Sequence, residues 1–265
     1  MRDGYYQSRH GQRWADPDIG HAAQYMQSLY HDRQLYDRLA RAGRESIQRE
    51  FSVEQSSKKI LSRLREAGVP VHVVTTADVS HRSDSEEHQG ICADADGYPY
   101  VNAADLLSRP DPLIVALDEV QDPQNLGAIC RTAEGVGATG VVIPERRAAE
   151  VTPAACKASA GALEWLHVAR VRNLADFLGD AQKAGSWCYG AAAVPEAVHY
   201  LEPDWTGGVV LVLGAEGKGL RPRVASCCDQ LVELPLRGNL DSLNVSAAAA
   251  ALLYGILQRR VDSTP

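Results

Sequence analysis

The feature that most constrains this chain is residues 234–260, LPLRGNLDSLNVSAAAAALLYGILQRR. A short apolar run reaches Pro235, and a polar loop with Gly238 and Asn239 follows. Ser242-Leu243-Asn244-Val245-Ser246 then leads into a long Ala/Leu segment. Alanine and leucine are strong helix formers, so this segment predicts a buried helix, and its small side chains let another backbone approach closely. The loop sets hydrogen-bonding side chains where a helix start offers free N–H groups. Two readings follow: a functional site at the helix start, or a core helix capped by Ser242 or Asn244.

Composition bounds the alternatives. A chain of 265 residues, 45% hydrophobic, can bury one sizeable core and a small second unit. No apolar run reaches bilayer length, and the start, MRDGYYQSRHGQRW, lacks the apolar core of a signal peptide. The six cysteines form no C-x-x-C pair. The reading is therefore reduced, mostly buried thiols in a cytoplasmic protein, with no metal and no membrane partner. The net charge of −7 argues against a nucleic-acid partner, and from Asp111 onward 13 Lys/Arg face 18 Asp/Glu. The cations are clustered, however: Arg131, Arg146, Arg147, Lys218, Arg221, Arg223 and Arg237 lie in or beside three polar motifs. Local positive surface binds phosphate even on an acidic protein.

Along the chain, residues 1–19 carry no period and are expected to be irregular. A helical pattern runs from Ile19 through Ala22, Tyr25, Met26, Leu29, Leu35, Leu39 and Ala40. A second helix is expected from Ser52, whose Ser52-Val53-Glu54-Gln55 is a capping box, to Gly68. Residues 69–75, VPVHVVT, and residues 88–93, HQGICA, read as strands. Residues 98–112, punctuated by Pro99, Pro110 and Pro112, read as a linker. Beyond it, strands are expected at 113–117, 140–143, 166–171, 187–193, 209–213 and 231–234. Helices are expected at 126–136, 173–184 and 245–260. That alternation predicts an α/β fold with a mostly parallel sheet.

Three stretches then carry a resemblance. Residues 117–133, LDEVQDPQNLGAICRTA, match D-x-x-x-D-P-x-N-x-G-x-x-x-R-x-A. Residues 211–222, LVLGAEGKGLRP, match L-x-x-G-x-E-x-x-G-L, and Ser242 to Ala247 match S-L-N-V-S-x-A. In this order, with Lys157-Ala158-Ser159-Ala160-Gly161-Ala162 between the first two, they resemble the SpoU (TrmH-like) branch of the SPOUT RNA methyltransferases. The resemblance covers residues 86–260 and runs nearest to bacterial 23S rRNA guanosine 2'-O-ribose methyltransferases. It implies a trefoil-knotted SPOUT domain over residues 113–265, S-adenosylmethionine as cofactor, rRNA as the first-choice RNA substrate, and a homodimer packed through the last helix.

It also implies site residues. Gly214, Leu234, Leu236 and Leu243 fall at the adenosine-binding positions, where an apolar slot with main-chain partners is needed. Asn125, Arg131, Glu216, Ser242 and Asn244 match the catalytic positions. A guanidinium seldom gives up its proton, so Arg131 is read as a phosphate clamp that places the ribose. Glu216 is read as orienting Arg131 or as accepting the hydroxyl proton, and Ser242 and Asn244 as holding the hydroxyl and the loop.

The small RNA-binding domain of this branch is expected to survive only in residues 69–97. Residues 1–68 form an atypical helical extension, and residues 16–64 resemble the C-terminal tail of a bacterial glycosyltransferase. Three rival readings stay open: a tRNA 2'-O-methyltransferase of the same superfamily, a non-catalytic RNA-binding module, and a glycosyltransferase fragment with a fused partner, which rests on residues 16–64 alone.

Overall fold

The computed structural model describes residues 5–7, 13–15, 18–83, 86, 88, 90–239 and 242–262. The chain divides into two compact units, Met1–Asp94 and Ala95–Pro265.

The first unit pairs β1 (Tyr5–Gln7) antiparallel with β2 (Arg13–Ala15), where the sequence suggested irregular chain. Three helices follow. α1 (Ile19–His31) starts at Asp18, whose carboxylate accepts from His21 N. α2 (Arg33–Phe51) starts at Asp32, which accepts from Leu35 N, so this cap breaks the helical run expected from Ile19 into two. α3 (Val53–Glu66) starts at Ser52, which accepts from Gln55 N as its capping box requires. The two predicted strands are absent among the described residues. Residues 69–75 belong to no strand or helix, with Val73 96% exposed, and they lead into α4 (Thr76–Ser83). A strand needs a ladder partner, and β-branched composition does not supply one. His88 instead closes a turn, its Nδ1 accepting from Gly90 N at 2.8 Å.

The second unit opens with the predicted linker, which is packed rather than free. Tyr98 donates to the carbonyls of Leu163 and Leu166, Val101 bridges to Ala169, and α5 (Ala103–Leu107) buries Leu106. Then come β3 (Leu113–Asp118), α6 (Pro123–Gly135), β4 (Gly140–Pro144), α7 (Pro153–Ala158), β5 (His167–Val171), α8 (Leu174–Lys183) and β6 (Trp187–Ala191). β7 (Val198–His199), β8 (Val209–Gly214), α9 (Pro222–Ala225), β9 (Gln230–Glu233) and α10 (Val245–Asp262) complete it. α6 begins three residues before its predicted start, because Asp122 caps Gln124 N and Pro123 suits the first turn.

The seven strands form one sheet in the order β5-β4-β3-β8-β6-β9-β7, and every neighbouring pair is parallel. β3 alternates between two cores. Leu113, Val115 and Leu117 pack with Leu126 and Ile129 of α6 and with Leu252, Leu253 and Ile256 of α10. Ile114 and Ala116 pack with Leu174, Phe177 and Leu178 of α8 and Val224 of α9. A parallel sheet covered on both faces explains why LIVAL and VVLVL are apolar throughout. From β3 the chain winds outward to β4 and β5, then crosses to the far side of β8. The crevice at such a switch point, at the carboxyl ends of the strands, is where ligands bind in open parallel sheets. Here β3 and β8 end together, Asp118 in register with Gly214, and the first two motifs leave from these ends.

Candidate active site

The three motifs meet at one carboxylate. Glu216, two residues past β8, accepts at Oε1 from Asn125 Nδ2 (3.3 Å), from Val245 N (3.4 Å) and from Asn244 Nδ2 in a short contact. Asn244 Nδ2 also donates to Asn125 Oδ1 at 3.0 Å. These partners lie 91, 119 and 28 residues apart, so only the fold assembles them.

The amide orientations follow from the network. Asn244 Oδ1 accepts from Ser246 N (2.9 Å) and Ala247 N (3.3 Å), capping α10 and leaving its NH2 for Glu216 and Asn125. Asn244 is therefore at once the cap of α10 and a member of the cluster. Asn125 is 8% exposed near the start of α6, a buried amide with both ends satisfied. Glu216 itself is exposed, and among the described residues its Oε2 has no hydrogen-bond partner. The arrangement thus offers one fixed carboxylate with one oxygen free to accept a proton.

Arg131 and Ser242 stand apart from this cluster. Both are exposed, and among the described residues neither makes an ion pair or a side-chain hydrogen bond. The expectation that Glu216 orients Arg131 is thereby corrected: the two asparagines hold that carboxylate instead. The cations near the motifs divide in the same way. Arg147, Arg221 and Arg223 pair with carboxylates, whereas Arg131, Arg146, Lys218 and Arg237 keep unpaired charges among the described residues.

The proposed adenosine positions surround two loops. Gly214 ends β8, and a Cβ there would lie 2.2 Å from Gly219 C, so the following loop folds directly onto it. Leu234 is half-buried, and Leu236 and Leu243 are 40% and 42% exposed, unusual openness for leucines beside a core. Among the described residues no hydrogen bond ties the main chain of Leu236, Arg237 or Gly238 to the fold. Open apolar side chains beside unspent main-chain donors and acceptors fit an adenosine moiety, which needs both.

Asp118, the acid that opens the first motif, has a role that the motif alone does not reveal. The structure buries it fully and pairs it with Arg221, whose N donates to Oδ2 (2.8 Å) and Nε to Oδ1 (2.7 Å). The hydrogen-bonded carboxylate raises the guanidinium's pKa. The signal was present: an acid closing the otherwise apolar strand LIVAL needs a buried partner. The cysteines are all free, and burial pushes the thiols of Cys130, Cys188 and Cys228 up to about 12, which removes them as nucleophiles. Among the described residues, no cluster of His, Cys, Asp and Glu is placed to hold a metal ion, and no helix is long and apolar enough to cross a membrane.

Comparison with known proteins agrees with this geometry. The model of the SpoU rRNA Methylase family matches residues 112–254, and that of RNA 2'-O ribose methyltransferase substrate binding matches residues 36–101. The second match takes in α3 and most of α2, the stretch whose rhythm resembles a glycosyltransferase tail. The 23S rRNA (guanosine-2'-O-)-methyltransferase RlmB of Pasteurella multocida is 38% identical over 76% of this chain and 84% of its own. YacO of Bacillus subtilis, named for the TrmH family of tRNA/rRNA methyltransferases, is 35% identical over 89% of this chain and 92% of its own. The SpoU methyltransferase AviRb of Streptomyces viridochromogenes, solved with its cofactor AdoMet (S-adenosylmethionine), superposes with a TM-score of 0.57. It is 29% identical over 62% of this chain and 67% of its own. A parallel sheet, three convergent motifs and these matches lead to one conclusion: the chain belongs to the SpoU rRNA methylase family of S-adenosylmethionine-dependent RNA 2'-O-ribose methyltransferases.

Proposed function

We propose that this enzyme methylates the 2'-hydroxyl of a guanosine in 23S rRNA, with Asn125, Arg131, Glu216, Ser242 and Asn244 as its working residues. The observation that carries the chemistry is Glu216, held at Oε1 by two asparagines and a main-chain N–H, with Oε2 unbonded among the described residues. The choice of RNA rests on the RlmB relatives of Pasteurella multocida, Haemophilus influenzae and Coxiella burnetii.

Gly214, Leu234, Leu236 and Leu243 hold the adenosine in this reading. When bound, S-adenosylmethionine supplies an electrophilic methyl carbon on its sulfonium. The chain's own residues do the rest. Arg131 clamps the substrate phosphate with two parallel N–H donors and so places the ribose. Glu216 Oε2 accepts the proton as the 2'-hydroxyl oxygen forms its new bond, and Asn125 and Asn244 keep that carboxylate from turning away. Ser242 bonds the hydroxyl. Fixing the groups in line supplies much of the barrier reduction.

The N-terminal unit docks the RNA. Over residues 33–66 nine Lys/Arg face five Asp/Glu, a basic segment in a chain whose net charge is −7. Arg38, Arg41 and Arg44 of α2 are exposed and, among the described residues, unpaired. The protein works in the cytoplasm as a homodimer. Exposed Tyr254 and Val261 on the small-residue-rich α10 support the shared surface.

Transfer of labelled methyl from S-adenosylmethionine to unmodified rRNA, and separately to tRNA, tests the substrate. Label in rRNA is expected. Label in tRNA alone moves the enzyme to the tRNA branch, an outcome that the YacO relationship leaves open. Label in neither contradicts the proposal.

A further inference from the structure

Asp118 is the one buried carboxylate among the described residues, and it takes no part in the chemistry above. Burying a charge costs several kcal/mol of desolvation, which an ion pair seldom more than offsets, and apolar replacements are often as stable. Stability alone is therefore a poor reason for a charge at this position. What the pair does supply is geometry. Arg221 donates to Asp118 Oδ2 through its main-chain N and meets Oδ1 through both Nε and Nη2 (2.6 Å), so one residue holds both carboxylate oxygens. Its Nη1 reaches Glu119 Oε1 at 3.5 Å, and Arg147 shares that oxygen at 3.3 Å. Glu119 (φ +60°) and Arg147 (φ +59°) both hold left-handed backbone, a strained conformation for residues with side chains.

The segment between Gly214 and Arg221 is a small closed turn. Ala215 bridges Gly219, Gly219 N donates to Ala215 O at 2.9 Å, and Gly217 and Gly219 are left-handed. Its far end, Gly219 and Leu220, folds back against Gly214, the Arg221 that follows is gripped by Asp118, and Glu216 lies inside it.

We propose that Asp118 and Arg221 are positioning residues: their buried pair fixes the exit of the 215–220 turn, which keeps Glu216 on Asn125 and Asn244 and keeps the turn's cofactor-side edge in shape. This rests on the reading of Glu216 and Gly214 given above.

The test compares the full-length wild type with Arg221→Gln and Arg221→Lys. S-adenosylmethionine affinity is measured by calorimetry, kcat on RNA by label transfer, and local opening by hydrogen exchange. Arg221→Gln is expected to weaken cofactor binding about tenfold and lower kcat about tenfold or more, since small misplacements cost up to 10²-fold. Arg221→Lys, which keeps charge without the guanidinium's paired donors, should recover part of both. Exchange should accelerate in residues 214–222 while β3 and β8 keep their protection. Should Arg221→Gln fail to fold, Arg221→Lys carries the comparison. Unchanged affinity and kcat would overturn the proposal, and so would exchange accelerated uniformly through the sheet, the mark of a plain structural strut. A wild type that binds no S-adenosylmethionine overturns the underlying reading instead, and the wild-type titration alone reveals it.

Discussion

Arg131→Ala is expected to lower methyl transfer by about 10²–10³-fold, the loss typical of removing a preorganised electrostatic contact. The guanidinium is exposed on α6 and unpaired among the described residues, so its removal leaves no buried partner stranded. Stability should therefore stay within about 0.5 kcal/mol, as for surface substitutions generally. S-adenosylmethionine affinity should also hold, because the proposed adenosine positions lie on other loops. Arg131→Lys should remain impaired, since an ammonium cannot reproduce a planar fork on phosphate. Label transfer to rRNA beside cofactor calorimetry measures both quantities. A rate within twofold of wild type would remove Arg131 from the active site.

Gly214→Ala is expected to be the most damaging single-methyl change at the site. The backbone there is not left-handed, so the objection is purely one of space. The new Cβ would meet Gly219 C at 2.2 Å, Gly219 O at 2.4 Å and Leu220 N at 2.5 Å, all main-chain atoms with no rotamer to yield. The turn must move as a body and take Glu216 with it. Overpacking of this kind costs about 1–3 kcal/mol. Cofactor affinity should fall by about 100-fold, the scale of a misplacement near 1 Å. Gly217→Ala is the control: its φ of +72° is unfavourable for alanine, but nothing lies within 4 Å. It should cost about 1 kcal/mol and less than tenfold in affinity. Melting curves and calorimetry on both variants decide it. Equal losses would mean that the close approach at Gly214 does not matter.

Much of the catalytic unit was legible from pattern, and particular residues show why the rest was not. The sheet-forming runs LIVAL and VVLVL and the Ala/Leu helix are long and unambiguous, and the helix expected from residue 173 is α8, capped by Asn173. α7, α9 and β7 span too few residues to show a period. Residues 69–75 have strand composition but find no neighbouring strand, a tertiary fact that local propensity does not contain. Residues 98–112 carry the prolines of a linker, yet Tyr98 and Leu106 anchor them to the second unit. At the site, the resemblance to the SpoU motifs singled out Asn125, Glu216 and Asn244, which the fold joins in one cluster. It could not say that Arg131 and Ser242 would stand outside that cluster. Nor could it say that Asp118 would be spent on Arg221, because pairing across about a hundred residues depends on which strands end side by side.

The central claim is that this cluster serves methylation of a ribose oxygen, and where the methyl lands tests it most directly. A 2'-O-methyl group removes the nucleophile that alkali uses to cleave the neighbouring phosphodiester. Labelled rRNA should therefore yield, after complete alkaline hydrolysis, label in an alkali-resistant dinucleotide whose methylated residue is guanosine. Label recovered only in ordinary mononucleotides would place the methyl on a base and contradict the account.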